Sequence, residues 1–474
     1  MDYRNYTGGS NDCNSQIKII FTSTRAHEHM STRIVILGGG ESGTGAAVLA
    51  KRQGFDVFLS DAGTLKDSYQ KILNDEGIAW EHGMHTEENI FNATEVIKSP
   101  GIPENAPLVK LLRKQGTPII SEIEFAARFT NAKLICITGT NGKTTTTLLT
   151  YHLLKKAGLN VGLAGNIGQS FAYQVATENF DYYVLELSSF MLDDMYEFKA
   201  DIAILTNITP DHLDRYDYKI ENYVDSKFRV SQNQTKSDYF IYCIDDEETM
   251  NGLKRHKIQA TMLPFSIQQH VEEGAYLEGN TFYINTLNHT FNMTIQELAL
   301  QGKHNLYNSM ASGIAAKLLE IRSESMKESF SDFKNVEHRL EHVARIQDIE
   351  FINDSKATNV NSAWYALESV TTPIVWIAGG VDKGNDYTIL KNLVKDKVRA
   401  IVCLGTDNGK IHEAFDDCVD IIVNTNSAAE AAQVSFHLAK KGDTVLLSPA
   451  CASFDLFKNY EDRGDQFKAA VKEL

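Results

Sequence analysis

Lys143 and Thr144 close the stretch Gly139-Thr-Asn-Gly-Lys-Thr144, which lies between an apolar run, Lys133-Leu-Ile-Cys-Ile137, and a threonine- and leucine-rich segment with helical spacing. A phosphate cradle needs consecutive inward-facing N–H groups, a lysine for the outer phosphates and a hydroxyl that helps hold magnesium. Gly139, Asn141, Gly142, Lys143 and Thr144 supply these, with Thr140 and Thr145 alongside. The loop is shorter than the usual pattern, whose first glycine would fall at Ile137. A threonine-rich helix start would need neither the glycines nor the lysine, so ATP with Mg2+ is the expected ligand.

A metal that bridges phosphates takes further oxygen ligands, and in α/β proteins these come from strand ends. Glu186 closes the apolar run Tyr182–Leu187, and the polar loop Thr206–Tyr216 offers Asp211, His212 and Asp214. Taken singly, His212 reads as a cap and Lys227 as a solvated helix lysine. A second glycine turn, Gly38-Gly-Gly-Glu-Ser-Gly43, follows the run Arg33–Leu37 and precedes a helical stretch, and the next strand ends at Asp61. That is a Rossmann-like unit whose helix N-terminus favours an anion. An anionic nucleotide is expected there, and the motif does not separate NAD from another pyrophosphate compound.

Strands are expected at 96–98, 133–137, 182–187 and 202–206, and after about residue 335 at 349–353, 374–378, 399–404 and 444–448 in alternation with helical stretches. Such alternation means α/β architecture with parallel sheets. A chain of 474 residues exceeds one core. Three domains are expected: a Rossmann-like N-terminal domain (30–121), a central P-loop ATPase-like domain with a parallel sheet (122–335), and a Rossmann-like C-terminal domain (336–474). Residues 1–29 are expected to be a flexible extension or a misplaced start. A net charge of −16 argues against nucleic-acid or membrane surfaces. Six scattered cysteines and the absence of a long apolar run point to a cytoplasmic protein with reduced thiols, expected to be a monomer.

GTNGKTT at 139–145, GNIG at 165–168, ELSSF at 186–190, NITPDHLDRY at 207–216 and GKHNLYN at 302–308 together resemble the Mur ligases, ATP-dependent amide-forming enzymes of peptidoglycan precursor synthesis. The stretches INDSKATN at 352–359, GGVDK at 379–383, LSPACAS at 447–453 and FKNYEDRG at 457–464 are similar to the family's D-glutamate-adding branch. The resemblance implies that ATP phosphorylates the alanine carboxylate of UDP-MurNAc-L-Ala and that the amine of D-glutamate attacks the acyl phosphate. It implies Lys143 on the β/γ-phosphates, Thr144 and Glu186 on one Mg2+, and His212 and Lys227 on a second, with Lys227 carbamylated. Asn305, Asn308, Arg339 and Asp354 would contact ATP. Glu41, Ser42, Ser99, Gly101, Asn166 and His212 would face the UDP substrate. Lys356, Thr358, Lys383, Ser453 and Tyr460 would hold D-glutamate, with tyrosine standing where phenylalanine is expected. A dehydrogenase would leave residues 139–144 idle, and an ATP-binding switch would turn over ATP indifferently to any amino acid.

Overall fold

The computed structural model describes residues 32–286, 289–334, 337–382 and 384–474; the expected N-terminal extension and Lys383 lie outside them. The described residues form two compact units, one of residues 32–134 with 160–200, the other of the described residues within 135–159 and 201–474.

In the first unit, β1 (Arg33–Leu37), β2 (Asp56–Asp61), β3 (Ala79–His82), β4 (Glu95–Lys98) and β5 (Ile119–Ile120) form a parallel sheet in the order β3-β2-β1-β4-β5. Val35, Leu37, Phe58 and Val96 bury one face against Ile90, Val109 and Leu112. The strand order reverses between β1 and β4, so the loops that leave these two strands flank a switch-point crevice, where ligands of open α/β sheets bind. The helix Glu41–Arg52 rises from the first of these loops. Two further strands, numbered β7 (Val161–Gly165) and β8 (Tyr182–Glu186) in chain order, pair in parallel within this unit.

In the second unit β6 (Lys133–Thr138) pairs with β9 (Ile202–Leu205), followed outward by β10 (Tyr239–Cys243) and β11 (Thr261–Ser266), all parallel. Neighbouring strands place their outgoing loops side by side, which sets the loop after β9 against the loop after β6. The parallel pairing expected of this region extends to β12 (Gly274–Glu278), which pairs with β11, and ends there. With β12, the strands β13 (Thr281–Thr286) and β14 (His289–Thr294) form an antiparallel meander, and its first turn is the two-residue Gly279-Asn280.

The C-terminal sheet runs β15 (Glu341–Ile346), β16 (Ile349–Asn353), β20 (Thr444–Leu447), β17 (Ile374–Ala378), β18 (Val398–Leu404), β19 (Ile422–Thr425). Only β15 is antiparallel to its neighbour. Period-two alternation buries both faces: Ile374, Trp376 and Ala378 on one side, Val375 and Ile377 on the other. The loops leaving the adjacent strands β16, β20 and β17 therefore emerge together, and they are the stretches 354–359, 448–453 and 379–382.

Candidate active site

Within the first unit, the loop after β1 is propped by a carboxylate. Asp61 accepts the Gly39 N–H at 2.5 Å and the Gly63 N–H at 2.7 Å. The turn after β4 leans on the same loop: Ser99 N–H reaches Leu37 O at 2.9 Å, and Ser99 Oγ reaches Gly38 O at 3.4 Å. Glu41, Ser42, Ser99 and Gly101 thus sit on the two loops of the crevice. Asn166, after β7, donates from Nδ2 to Glu186 Oε1 at 2.9 Å. Glu186 is 1% exposed, and its Oε2 meets no hydrogen-bond donor among the described residues. A buried carboxylate oxygen without a donor is costly, and a bound cation satisfies it. Among the described residues no three His, Cys, Asp or Glu side chains converge on one point. Mg2+ fits such sparse ligands because it keeps waters and takes phosphate oxygens from its nucleotide.

In the second unit the loop after β9 clamps the phosphate loop. Thr140 N–H donates to Asn207 O at 2.8 Å, and Asn141 N–H to Asn207 Oδ1 at 3.0 Å. Thr206 Oγ1 and Asn207 Nδ2 both donate to Asn141 O, at 2.7 and 2.9 Å. Close approach explains Gly139: a Cβ there would lie 2.0 Å from Thr206 Oγ1. Gly142, in the left-handed region at φ +81°, caps the helix Lys143–Lys156, and a Cβ there would lie 2.4 Å from Asn308 Oδ1. Lys143 Nζ arches back over the loop onto Gly139 O and Thr140 O at 2.9 and 2.7 Å, while Thr144 and Thr145 are buried in the first turn.

Lys227, on the helix Ile220–Phe228, is 1% exposed. Its Nζ lies 3.4 Å from Thr138 Oγ1 and 5.0 Å from the centre of the Tyr223 ring, and the Tyr223 hydroxyl meets Thr140 Oγ1 at 3.2 Å. The solvated-lysine reading is therefore excluded; this amine ends beside the phosphate loop. His212 occupies the left-handed region at φ +51°, a strained place for a non-glycine residue, with its N–H on Asp211 Oδ1 at 3.0 Å.

A cleft in this unit is lined by Asn141, Asn305, Arg339 and Asp354, all expected on ATP. An adjoining cavity of about 170 Å³ is lined by Asn308, Asn207, Asp245 and Asp246. His304 and Tyr365 line both spaces and stack with ring centres 4.5 Å apart. Burial, reinforced by the Arg339 guanidinium, pushes His304 down to about 3, so it is neutral at working pH. Burial pushes Asp354 up to about 6, opposed by Arg339 and by the Ser448 hydroxyl at 2.9 Å. The helix Val360–Ser369 touches the phosphate loop, Ser362 Oγ donating to Asn141 Oδ1 at 2.8 Å. His304 lay inside the GKHNLYN stretch and was overlooked there, whereas nothing in the sequence marks Tyr365.

The three C-terminal loops are tied by Arg463, which is fully buried and absent from the sequence-derived set. Its guanidinium donates to Ser355 Oγ and O at 3.0 and 2.9 Å, to Cys451 O at 3.2 Å and to Gly379 O at 3.4 Å. Lys356 Nζ lies 5.3 Å from the centre of the Tyr460 ring, a contact phenylalanine would also make. Ser453 is buried and Thr358 half-buried on the same group of loops. The five described cysteines are all free. No helix among the described residues is long and apolar enough to cross a membrane.

A phosphate loop at the end of a parallel strand, clamped by the loop after β9, defines a nucleotide-binding α/β protein. The comparisons narrow the class. The MurD N-terminal domain matches residues 33–107, the Mur ligase middle domain residues 137–316, and the Mur ligase glutamate ligase domain residues 338–451. The chain is 60% identical over 443 residues to the UDP-N-acetylmuramoylalanine--D-glutamate ligase of Bacteroides fragilis, covering 93% of this chain and 100% of that one. It is 53% identical to the protein of the same name from Porphyromonas gingivalis, covering 93% and 98%. In fold it is similar to a UDP-N-acetylmuramate-alanine ligase from Thermotoga maritima, with TM-score 0.59, 19% identity and coverage of 93% and 99%. The chain belongs to the Mur ligase family of ATP-dependent ligases, as an α/β protein of three domains.

Proposed function

We propose that this protein joins D-glutamate to UDP-N-acetylmuramoyl-L-alanine, in peptidoglycan precursor synthesis, through an acyl phosphate formed with ATP. The observation that carries the reading is the full-length similarity to relatives bearing that activity in their name, at 60% identity. A carboxylate is a poor acyl donor until one oxygen becomes a phosphate leaving group, and like charges must be held together while it does. In this reading Lys143 neutralises the β/γ-phosphates. Thr144, Glu186, His212 and Lys227 would hold Mg2+, two ions in all, with Lys227 carbamylated so that a buried ammonium becomes an oxygen ligand. Bound Mg2+ would supply charge neutralisation at the transferring phosphoryl group.

Gly139 to Thr145, Asn305, Asn308, Arg339 and Asp354 bind ATP in this reading. Glu41, Ser42, Ser99, Gly101, Asn166 and His212 face the UDP substrate. Lys356, Thr358, Lys383, Ser453 and Tyr460 take the two carboxylates of D-glutamate. Domain boundaries fall near residues 121 and 335, and the enzyme works as a cytoplasmic monomer.

Phosphate release from ATP and Mg2+ with UDP-MurNAc-L-Ala tests the reading, with D-glutamate set against L-glutamate, glycine, L-alanine and meso-diaminopimelate. Release that depends on D-glutamate, with a product heavier by one glutamyl residue, is expected. Preference for another amino acid would leave ligase chemistry standing and overturn the substrate.

A further inference from the structure

Lys98 is the last residue of β4 and is 3% exposed, an unusual place for a lysine. Its ammonium has three partners. Nζ donates to Ile102 O at 3.0 Å and pairs with Asp194 Oδ2 at 2.9 Å and Glu104 Oε1 at 3.3 Å. Asp194 is 1% exposed and is held in turn by Arg113 Nη2 at 2.6 Å. Its backbone carbonyl accepts the Ser121 N–H at 2.9 Å.

Between Lys98 and Ile102 lies the turn Ser99-Pro100-Gly101, closed by Ile102 N–H on Ser99 O at 3.0 Å. One side of this turn rests on Leu37 and Gly38 of the switch-point crevice, through the Ser99 contacts already described. The other side is gripped at the Ile102 carbonyl. We propose that Lys98 is a positioning residue for the uridine-nucleotide substrate, its ammonium, anchored on Asp194, fixing the Ser99–Ile102 turn that faces the crevice. The inference rests on the ligase reading for the identity of that substrate.

A purely stabilising role explains less. A buried ion pair is weak support for stability, and apolar residues of similar volume often serve as well. What an apolar residue lacks is an ammonium that holds a loop carbonyl by a hydrogen bond and pairs with two carboxylates at once. Lys98 is too buried to touch the ligand itself, so its effect passes through the turn.

Calorimetric binding of UDP-MurNAc-L-Ala to the full chain without ATP tests this, alongside the KM values for ATP and D-glutamate. In Lys98→Met, Asp194 keeps Arg113, so the fold should survive. Loss of a hydrogen bond from a charged group predicts binding weaker by about tenfold, with both KM values within about twofold of wild type. Arg113→Met, which leaves Lys98 on Asp194 and Ile102, should bind within about twofold of wild type.

If Lys98→Met does not fold, the double variant Lys98→Met with Asp194→Asn removes the uncompensated charge and should show the same tenfold loss. Unchanged affinity in the folded variant would overturn the inference. Equal weakening in Arg113→Met would do so too, because the network would then act only through general stability. Wild-type protein that fails to bind the UDP substrate would bring down the ligase reading together with this one.

Discussion

The glycine turn after β1 and the phosphate loop are held by different chemistry. In the first unit, carboxylates accept backbone N–H groups: Asp61 from Gly39 and Gly63, Glu122 from Ala172 at 2.7 Å, and Glu124 from Tyr196, Glu197 and Phe198 at 3.0 Å each. In the second, the phosphate loop is held by neutral groups, the amides and hydroxyls of Asn141, Thr206, Asn207 and Thr209. Asp246 backs that clamp, accepting the Ile208 N–H at 3.0 Å, but burial raises its pKa and so disfavours its charge.

Electrostatics accounts for the difference. Two like charges 4 Å apart repel by about 4 kcal/mol near a protein surface, so a triphosphate site propped by carboxylates would oppose its own ligand. The Gly39 N–H, occupied by Asp61, is a donor already taken and is not offered to a phosphate.

The two turns differ most at Lys143, the cation that only the second carries. Lys143→Met should lower the rate of phosphate release about 1,000-fold or more, about 4 kcal/mol of transition-state stabilisation, with the melting temperature little changed. A loss below about tenfold would mean that the loop's backbone alone does the work assigned to the lysine.

The strand at 374–378 was legible to the residue because both faces of a covered parallel sheet are apolar, which leaves an uninterrupted run, whereas 349–353 shows itself by alternation, buried Ile349 and Phe351 against half-buried Glu350 and Ile352. The meander at 274–294 was missed although Glu278-Gly-Asn-Thr281 carries the two-residue hairpin signal. The turn between β15 and β16 had no such signal, since Gln347 and Asp348 adopt left-handed φ values of +48° and +68° without the glycine that marks a two-residue hairpin.

Site residues on glycine turns were readable because their backbone needs special residue types. Lys227 read alone as a surface lysine, since burial depends on the Tyr223 ring and Thr138, which no local pattern brings together. Arg463 and Lys98 were hidden for the same reason: each ties loops from distant parts of the chain.

Among the carboxylates of the first unit, Glu122 carries a pH cost. It is fully buried, and burial pushes its pKa up to about 7, with Glu41 adding to the effect and the hydrogen bonds of Ala172 and Ser170 opposing it. A folded pKa above the unfolded value of 4.5 means that stability is greatest in acid, falls as pH rises from 4.5 to about 7, and is then flat. Glu122→Gln keeps one oxygen to accept from Ala172 and Ser170 and loses the charge. It should raise stability by about 2 kcal/mol at pH 8 and by almost nothing at pH 4.5, as measured by urea unfolding. An equal gain at both pH values would show that charge is not the cost.

The smallest effect separates backbone strain from loop contact. Gly77, past the helix Asp67–Asp75, and Gly142 both have positive φ, +62° and +81°. A Cβ on Gly77 would meet nothing within 4 Å, whereas one on Gly142 would press on Asn308 Oδ1, which also accepts the Thr146 hydroxyl at 3.1 Å. Gly77→Ala should therefore cost about 1 kcal/mol of stability and leave the KM for ATP unchanged. Gly142→Ala carries the same strain and must also displace Asn308, whose side chain lines the cavity beside the phosphate loop. It should add about 1 kcal/mol of destabilisation and raise the KM for ATP several-fold. If the two variants behave alike, the contact with Asn308 yields at no cost, and the neutral clamp is looser than the carboxylate props of the first unit.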